Sequence, residues 1–140
     1  MLRLKRKGTL FVLSAPSGAG KSTLCAMALK EMKNLVYSVS CTTRKPRPGE
    51  KNGVHYFFLS EKEFKRKIKQ RGFFEWAPVH GNYYGTPKYY IEENIRKGRN
   101  IILDIDVQGG VHIKKQMPSA VLIYILPPAF TELEKRLRAR

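Results

Sequence analysis

The chain has 140 residues, of which 42% are hydrophobic, so it is long enough to bury the core of one domain or slightly less. Lysine and arginine number 27 against 11 acidic residues, and the net charge of +16 favours anionic ligands. The apolar run Leu10–Leu13 is too short for a signal peptide or a membrane span, and two cysteines, Cys25 and Cys41, indicate no disulfide framework. We therefore expect a cytoplasmic chain with no membrane partner.

Apolar or alternating runs predict strands that alternate with helices along the chain. The strands are predicted at Thr9–Ser14, Leu35–Ser40, Tyr56–Leu59, Gly72–Trp76, Asn100–Ile105 and Ala120–Leu126. This alternation favours an α/β fold with a mostly parallel core sheet and helices on both faces. A smaller strand-rich insert over residues 42–86 interrupts the core, which is predicted from segments 1–41 and 87–140.

The segment after the first predicted strand is typical of a phosphate-binding loop. It reads Ala15-Pro16-Ser17-Gly18-Ala19-Gly20-Lys21-Ser22-Thr23 and joins a strand to a helix. Its glycines allow backbone N–H groups to converge on phosphate oxygens. Lys21 supplies a charge for the outer phosphates, and Ser22 offers a hydroxyl to Mg²⁺. An ordinary glycine-rich turn is the alternative, but the position of the segment favours a site for a nucleoside triphosphate.

The helix that follows this loop is predicted to bury one apolar stripe. The residues expected to face the core are Leu24, Met27, Ala28 and Met32.

A stiff basic loop follows the second predicted strand. Arg44 and Arg47 lie on either side of Pro46, which prevents helix formation. Two guanidinium groups on a stiff loop are suited to hold a second phosphate, separate from the one at the glycine loop. A solvated basic loop is equally compatible with this pattern.

Two further patterns predict helix starts. Ser60-Glu61-Lys62-Glu63 predicts a capping box, with Leu59 and Phe64 spaced as a hydrophobic staple. Thr86-Pro87 predicts a cap followed by proline at the first helical position, in a helix that stops near Gly98.

Glu75 lies in a predicted strand that is otherwise apolar and aromatic. A carboxylate accepts hydrogen bonds from both N1–H and the exocyclic amine of guanine, whereas adenine presents a lone pair at N1. The hydroxyls of Ser40 and Thr86 are candidates to reach the same base. The alternatives are an exposed edge-strand carboxylate for Glu75 and a helix-capping hydroxyl for Thr86.

Two aspartates end the apolar run Ile101–Leu103. Asp104 stands at the carboxyl end of a strand, where phosphate-loop enzymes place an aspartate that organises Mg²⁺ through water. Asp106 is two residues further on the same side and is a candidate to approach the base. Its alternative role is to cap a helix over Val107–Gln116.

The last pattern, Thr131-Glu132-Leu133-Glu134, predicts a second capping box. The helix that it opens contains the basic residues Arg136 and Arg140.

Taken in order and with their spacing, these segments resemble guanylate kinase from about Gly8 to Arg140. The segments that carry the resemblance are Ala15–Thr23, Ser38–Glu50, Asn52–Phe58, Phe74–Ala77, Gly81–Thr86 and Leu103–Gly109.

The resemblance implies a P-loop nucleoside monophosphate kinase fold that transfers the γ-phosphoryl group of ATP to GMP, with Mg²⁺ bound to ATP. It implies that the GMP phosphate is held by Arg44, Arg47, Tyr56 and Tyr84. It implies that the guanine is contacted by Ser40, Glu75, Thr86 and Asp106. The implied catalytic residues are Lys21, Arg44, Arg136 and Arg140, the last two in the approach to a lid.

The family continues beyond the position of Arg140 through the rest of the lid, a last core strand and a terminal helix. We therefore expect slow turnover from these 140 residues alone, and some self-association through an open sheet edge. Two other classes stay open: a guanylate-kinase-like module that binds phosphopeptides, and a basic nucleic-acid-binding ATPase. The intact Gly20-Lys21-Ser22 argues against the first, and the lack of a groove-reading or stacking motif makes nucleic acid an unexpected partner.

Overall fold

The computed structural model describes residues 6–16 and 18–139 as two compact units of α/β structure. The strands are β1 (Leu10–Ser14), β2 (Leu35–Tyr37), β3 (Cys41–Thr42), β4 (Phe57–Phe58), β5 (Phe73–Val79), β6 (Asn82–Pro87), β7 (Asn100–Asp104) and β8 (Val121–Tyr124). The helices are α1 (Lys21–Glu31), α2 (Glu61–Lys69), α3 (Lys88–Arg96), α4 (Val107–Gln116) and α5 (Phe130–Arg138). No helix within these residues is long and apolar enough to cross a membrane.

The first unit comprises the chain up to Tyr37 and from Ile95 onward, and it contains a parallel sheet with the strand order β2-β7-β1-β8. Leu13 of β1 packs in a buried cluster with Cys25 of α1. Helix α4 packs against the neighbouring strand residue Val12: a Cβ added to Gly110 of α4 would lie 3.3 Å from Val12 Cγ1. Because successive strand residues point to opposite faces, α1 and α4 cover opposite faces of the sheet. The predicted α/β fold with a parallel core sheet is confirmed.

The second unit, Ser38–Asn94, contains a mixed sheet with the order β4-β3-β6-β5 and is longer at both ends than the predicted insert 42–86. Strand β6 is antiparallel to both of its neighbours, whereas β3 and β4 are parallel. Helix α2 packs on this sheet through Phe64, which is fully buried and stacks on Phe73 with ring centroids 4.5 Å apart.

The start of α2 has the local structure that the sequence predicts. Ser60 Oγ accepts a hydrogen bond from Glu63 N at 3.1 Å, and Glu63 Oε2 accepts one from Ser60 N at 2.7 Å. Leu59 packs against the cluster that contains Phe64. The predicted capping box and hydrophobic staple are confirmed.

The apolar stripe predicted for α1 is wrong at three of its four residues, and only Ala28 packs against the core as predicted. The exposed members of that stripe are Leu24 (45%), Met27 (56%) and Met32 (46%). The helix instead buries Cys25, with Ala28 and Leu29 packed against the same cluster. Both stripes have helical spacing, and the smaller side chains of Cys25 and Ala28 lie against the sheet.

Two predicted helix starts are also wrong by one or two residues. Thr86 and Pro87 belong to β6, where they pair with Glu75 and Phe73, so α3 begins only at Lys88. Helix α5 begins at Phe130, with Ala129 as an N-cap that makes no side-chain hydrogen bond. Because Leu133 N already donates to Ala129 O, Thr131 lies inside the first turn and is not the capping residue.

Candidate functional site

The loop between β1 and α1 encloses a cavity of about 360 Å³. The residues that line it are Ala15, Pro16, Gly18, Ala19, Gly20, Lys21, Ser22 and Thr23. Gly18 and Gly20 have φ values of 82° and 91°, in the left-handed region where a Cβ is strained. Among the described residues no side chain caps the N-terminus of α1, and the first turn of this helix contains no acidic residue. The backbone N–H groups at this helix end are therefore suited to an anion.

A charged pair stands beside this loop. Lys21 Nζ lies 2.6 Å from Asp104 Oδ1, and the two side chains are 26% and 20% exposed. The pair forms because β1 and β7 are neighbours in parallel register, with Leu13 opposite Asp104. Burial raises the pKa of the nearby Cys25 thiol, and the Asp104 carboxylate raises it further. The sheet thus brings together the residues predicted for phosphate and for Mg²⁺.

Helix α5 contacts the same loop. A Cβ on Gly18 would lie 3.2 Å from Leu137 Cδ2 and 3.5 Å from Leu133 Cδ1. A Cβ on Gly20 would lie 3.8 Å from Nη1 of Arg136. Nε of Arg136 donates to Glu132 Oε1 at 2.9 Å, so its guanidinium stands beside the loop with one acidic neighbour.

In the second unit, Arg44 is the centre of a charged and aromatic cluster. Its guanidinium forms an ion pair with Glu50 at 3.0 Å and lies 5.2 Å from the ring centroid of Tyr56. The rings of Tyr56 and Tyr84 are 6.1 Å apart in an edge-on arrangement. The hydrogen bond to Glu50 raises the pKa of Arg44, and it lowers the pKa of Glu50. Three of the four residues predicted for the GMP phosphate therefore lie together.

Three of the four residues predicted for the base, Ser40, Glu75 and Thr86, are brought together by β-sheet register. Glu75 of β5 stands directly opposite Thr86 of β6, and Thr86 is only 3% exposed. Cys41 pairs with Gly85, so the preceding Ser40 stands next to Thr86 on the neighbouring strand. Opposite residues of an antiparallel pair point to the same face, so Glu75 and Thr86 form one polar pair.

Comparison with known proteins identifies the family. The guanylate kinase family model matches residues 7–140. The chain belongs to the guanylate kinase family. It is 47% identical over 139 residues to guanylate kinase from Caldanaerobacter subterraneus subsp. tengcongensis, covering 99% of this chain and 68% of that protein. It is 54% identical to guanylate kinase from Shewanella violacea, covering 96% of this chain and 65% of that protein.

A solved guanylate kinase has the same fold. The crystal structure of guanylate kinase from Anaplasma phagocytophilum superposes with a TM-score of 0.68 at 40% identity, covering 96% of this chain and 68% of that one. The chain thus spans about two thirds of the length of the guanylate kinases that it matches.

Other residues predicted for a guanylate kinase site have different surroundings. Asp106 caps α4, because its Oδ1 accepts a hydrogen bond from Gly109 N at 2.7 Å. Arg47 is exposed, and its carbonyl oxygen accepts a hydrogen bond from Glu50 N. Ser17 and Arg140 lie outside the described residues.

One member of the Arg44 cluster, Glu50, is absent from the predicted site. Nothing in its spacing from Arg44 predicts a direct contact, because the intervening loop contains two prolines and Gly49 at φ 85°. The sequence does contain one feature that could have indicated this ion pair: Glu50 is the only acidic residue between Glu31 and Glu61. A single acid in a basic loop is an indication of a specific ion pair.

Proposed function

We propose that this chain acts as an ATP:GMP phosphotransferase, which moves the γ-phosphoryl group of ATP to GMP and yields ADP and GDP. The observation that carries the proposal is the phosphate loop, with its cavity and the Lys21–Asp104 pair. A phosphopeptide-binding module of the same fold has no need of a triphosphate loop. This favours the enzyme over that alternative.

ATP is proposed to bind at residues 15–23. Backbone N–H groups of the loop and of the α1 N-terminus hold phosphate oxygens, and Lys21 leaves Asp104 to approach the outer phosphates. Arg136, beside Gly20, is proposed to approach the transferred phosphoryl group together with Arg140. The described residues contain no group of three or more His, Cys, Asp or Glu side chains that could hold a metal ion without further ligands.

Ser22 and Asp104 would hold Mg²⁺ here, the second through water. A hydroxyl and a carboxylate suit this cation, which takes few protein ligands and completes its shell with phosphate oxygens and water. When bound, it neutralises charge on the ATP phosphates. Residues 15–23 would position the nucleotide for this arrangement.

GMP is proposed to bind in the second unit, with its phosphate on Arg44, Arg47, Tyr56 and Tyr84. Glu75 accepts from N1–H and the exocyclic amine of guanine, and Ser40 and Thr86 contribute hydroxyls. We propose that the enzyme works in the cytoplasm on ATP and GMP, without a membrane or nucleic-acid partner.

The proposal is tested by coupled-enzyme turnover of the 140-residue chain with ATP and GMP. AMP, a phosphopeptide and single-stranded RNA serve as competing ligands in the same assay. Turnover that requires GMP supports the proposal. Binding of the phosphopeptide or RNA without GMP turnover would contradict it.

Lys21→Ala is expected to lower turnover by a factor of roughly 10² or more, because it removes the positive side chain that is proposed to contact the transferred phosphate. Lys30→Ala is the matched control, since Lys30 is exposed in the last turn of the same helix. Thermal melting should be similar for both variants. Normal turnover of Lys21→Ala would show that residues 15–23 are not the ATP site.

A further inference from the structure

The Arg44–Glu50 pair is shielded and has near-bidentate geometry. Nη1 of Arg44 donates to Glu50 Oε1 at 3.2 Å, and Nη2 donates to Glu50 Oε2 at 3.0 Å. The two side chains are only 15% and 17% exposed. By comparison, the Glu61–Lys65 pair of the same unit has side chains that are 62% and 55% exposed. Solvent therefore screens the Arg44–Glu50 pair much less than a surface pair.

Further contacts restrict the guanidinium of Arg44. Nη1 also donates to the carbonyl oxygen of Lys45 at 3.0 Å. The guanidinium carbon lies 5.2 Å from the ring centroid of Tyr56 and 5.8 Å from that of Phe58. At least three of the five N–H donors of Arg44 are thus engaged by Glu50 and Lys45, and its side chain also hydrogen-bonds Tyr84. Two aromatic rings limit its rotation.

We propose that Glu50 is a positioning residue, which holds Arg44 so that its remaining N–H groups meet the phosphate of GMP. The inference rests on the proposed function, because the phosphate is the one proposed for Arg44, Tyr56 and Tyr84. An unrestrained arginine loses side-chain freedom when it binds a phosphate. Glu50 restricts the Arg44 side chain before GMP binds, so less conformational entropy is lost on binding, which is the general advantage of a preorganised site.

A carboxylate next to the guanidinium also partly neutralises it, so two opposite effects compete. If orientation dominates, loss of Glu50 weakens GMP binding. If neutralisation dominates, Glu50 only occupies the place of the phosphate, and its loss strengthens GMP binding. Arg44 also contacts Lys45, Tyr56 and Phe58. These contacts favour orientation, because they hold the guanidinium plane in the position in which it pairs with the Glu50 carboxylate.

The test measures GMP and ATP affinity by calorimetry, and KM and kcat by turnover, for the wild-type chain and its variants. Glu50→Ala should weaken GMP binding roughly tenfold and raise the GMP KM more than it lowers kcat, with ATP affinity unchanged. Glu50→Gln should recover part of the loss, because its amide oxygen still accepts one N–H. Glu61→Ala, which removes the exposed carboxylate that pairs with Lys65, should change none of these constants.

A double variant distinguishes action through Arg44 from a general structural role. Arg44→Ala combined with Glu50→Ala should bind GMP as weakly as Arg44→Ala alone, because the two residues act as one unit. Additive losses, or equal losses of ATP and GMP affinity with a lower melting temperature, would overturn the proposal. Unchanged or tighter GMP binding by Glu50→Ala would also overturn it. If the wild-type chain binds no GMP, the proposed function itself fails and this inference fails with it.

Discussion

We expect that single side chains decide which base the proposed GMP site selects. Glu75 is half-buried on β5, and its register partner Thr86 is buried on β6. A carboxylate facing guanine meets two donors, whereas the same carboxylate facing adenine meets the N1 lone pair. A buried polar group left without a partner costs about 1–3 kcal/mol, so such a mismatch discriminates strongly.

Glu75→Gln should therefore weaken GMP binding and narrow the difference in affinity between GMP and AMP. The amide replaces one acceptor with a donor, which faces a donor of guanine. We expect a loss of roughly tenfold or more for GMP, measured by calorimetric titration of both nucleotides. Glu92→Gln is the control, because Glu92 is an exposed residue of α3. An unchanged GMP affinity would identify Glu75 as a strand carboxylate with no role in base selection.

Helices α2 and α5 differ in what stabilises them. Both have nine residues and basic last turns. Helix α2 has a reciprocal capping box and a buried phenylalanine, whereas α5 has no side-chain cap and no buried residue. Isolated helices of this length are marginal in water. Helix α5 therefore depends on the contacts of Leu133 and Leu137 with the phosphate loop.

Ser60→Ala should lower the free energy of unfolding by about 1 kcal/mol, because it leaves the amide of Glu63 without its capping acceptor. Urea denaturation of the 140-residue chain measures this change. Ser119→Ala is the control, since Ser119 lies in an exposed turn before β8. A loss for Ser60→Ala no larger than that of the control would mean that Phe64 packing alone holds α2 in place.

At the scale of the whole molecule, a high positive charge coexists with an exposed apolar strand. The net charge is +16, which favours repulsion between copies. In the described part of the chain, β8 is an edge strand, and its four residues Val121, Leu122, Ile123 and Tyr124 are 41–51% exposed. Apolar edge strands favour pairing with another chain, so these two properties oppose each other.

The 140-residue chain is therefore expected to self-associate, and to do so more strongly as added salt screens its charge. Ile123→Lys should reduce association, because a lysine on an edge strand disfavours strand pairing. Val54→Lys adds the same charge at an exposed loop position of the second unit and should have a smaller effect. Sedimentation velocity at low and high salt measures the association state of the wild-type chain and of both variants. Monomeric wild-type chain at high salt would contradict the expectation.

The sequence by itself determined the features that depend on neighbouring residues. The phosphate loop, the capping box at Ser60 and the alternation of strands and helices all follow from patterns within one turn or one element. At Ser60 and in the phosphate loop, short-range backbone chemistry decides the local structure. The family resemblance also belongs here, because it rests on the order and spacing of these local patterns.

Tertiary structure decided the features that depend on partners distant in the chain. Thr86-Pro87 has the local pattern of a helix start, but pairing with β5 keeps both residues in β6. Both apolar stripes of α1 have helical spacing, and only the position of the sheet selected the one that contains Cys25. The ion pair of Arg44 with Glu50 likewise required the path of an intervening loop. Burial and pairing are properties of surfaces brought together by folding, and a local pattern does not specify which surface it will meet.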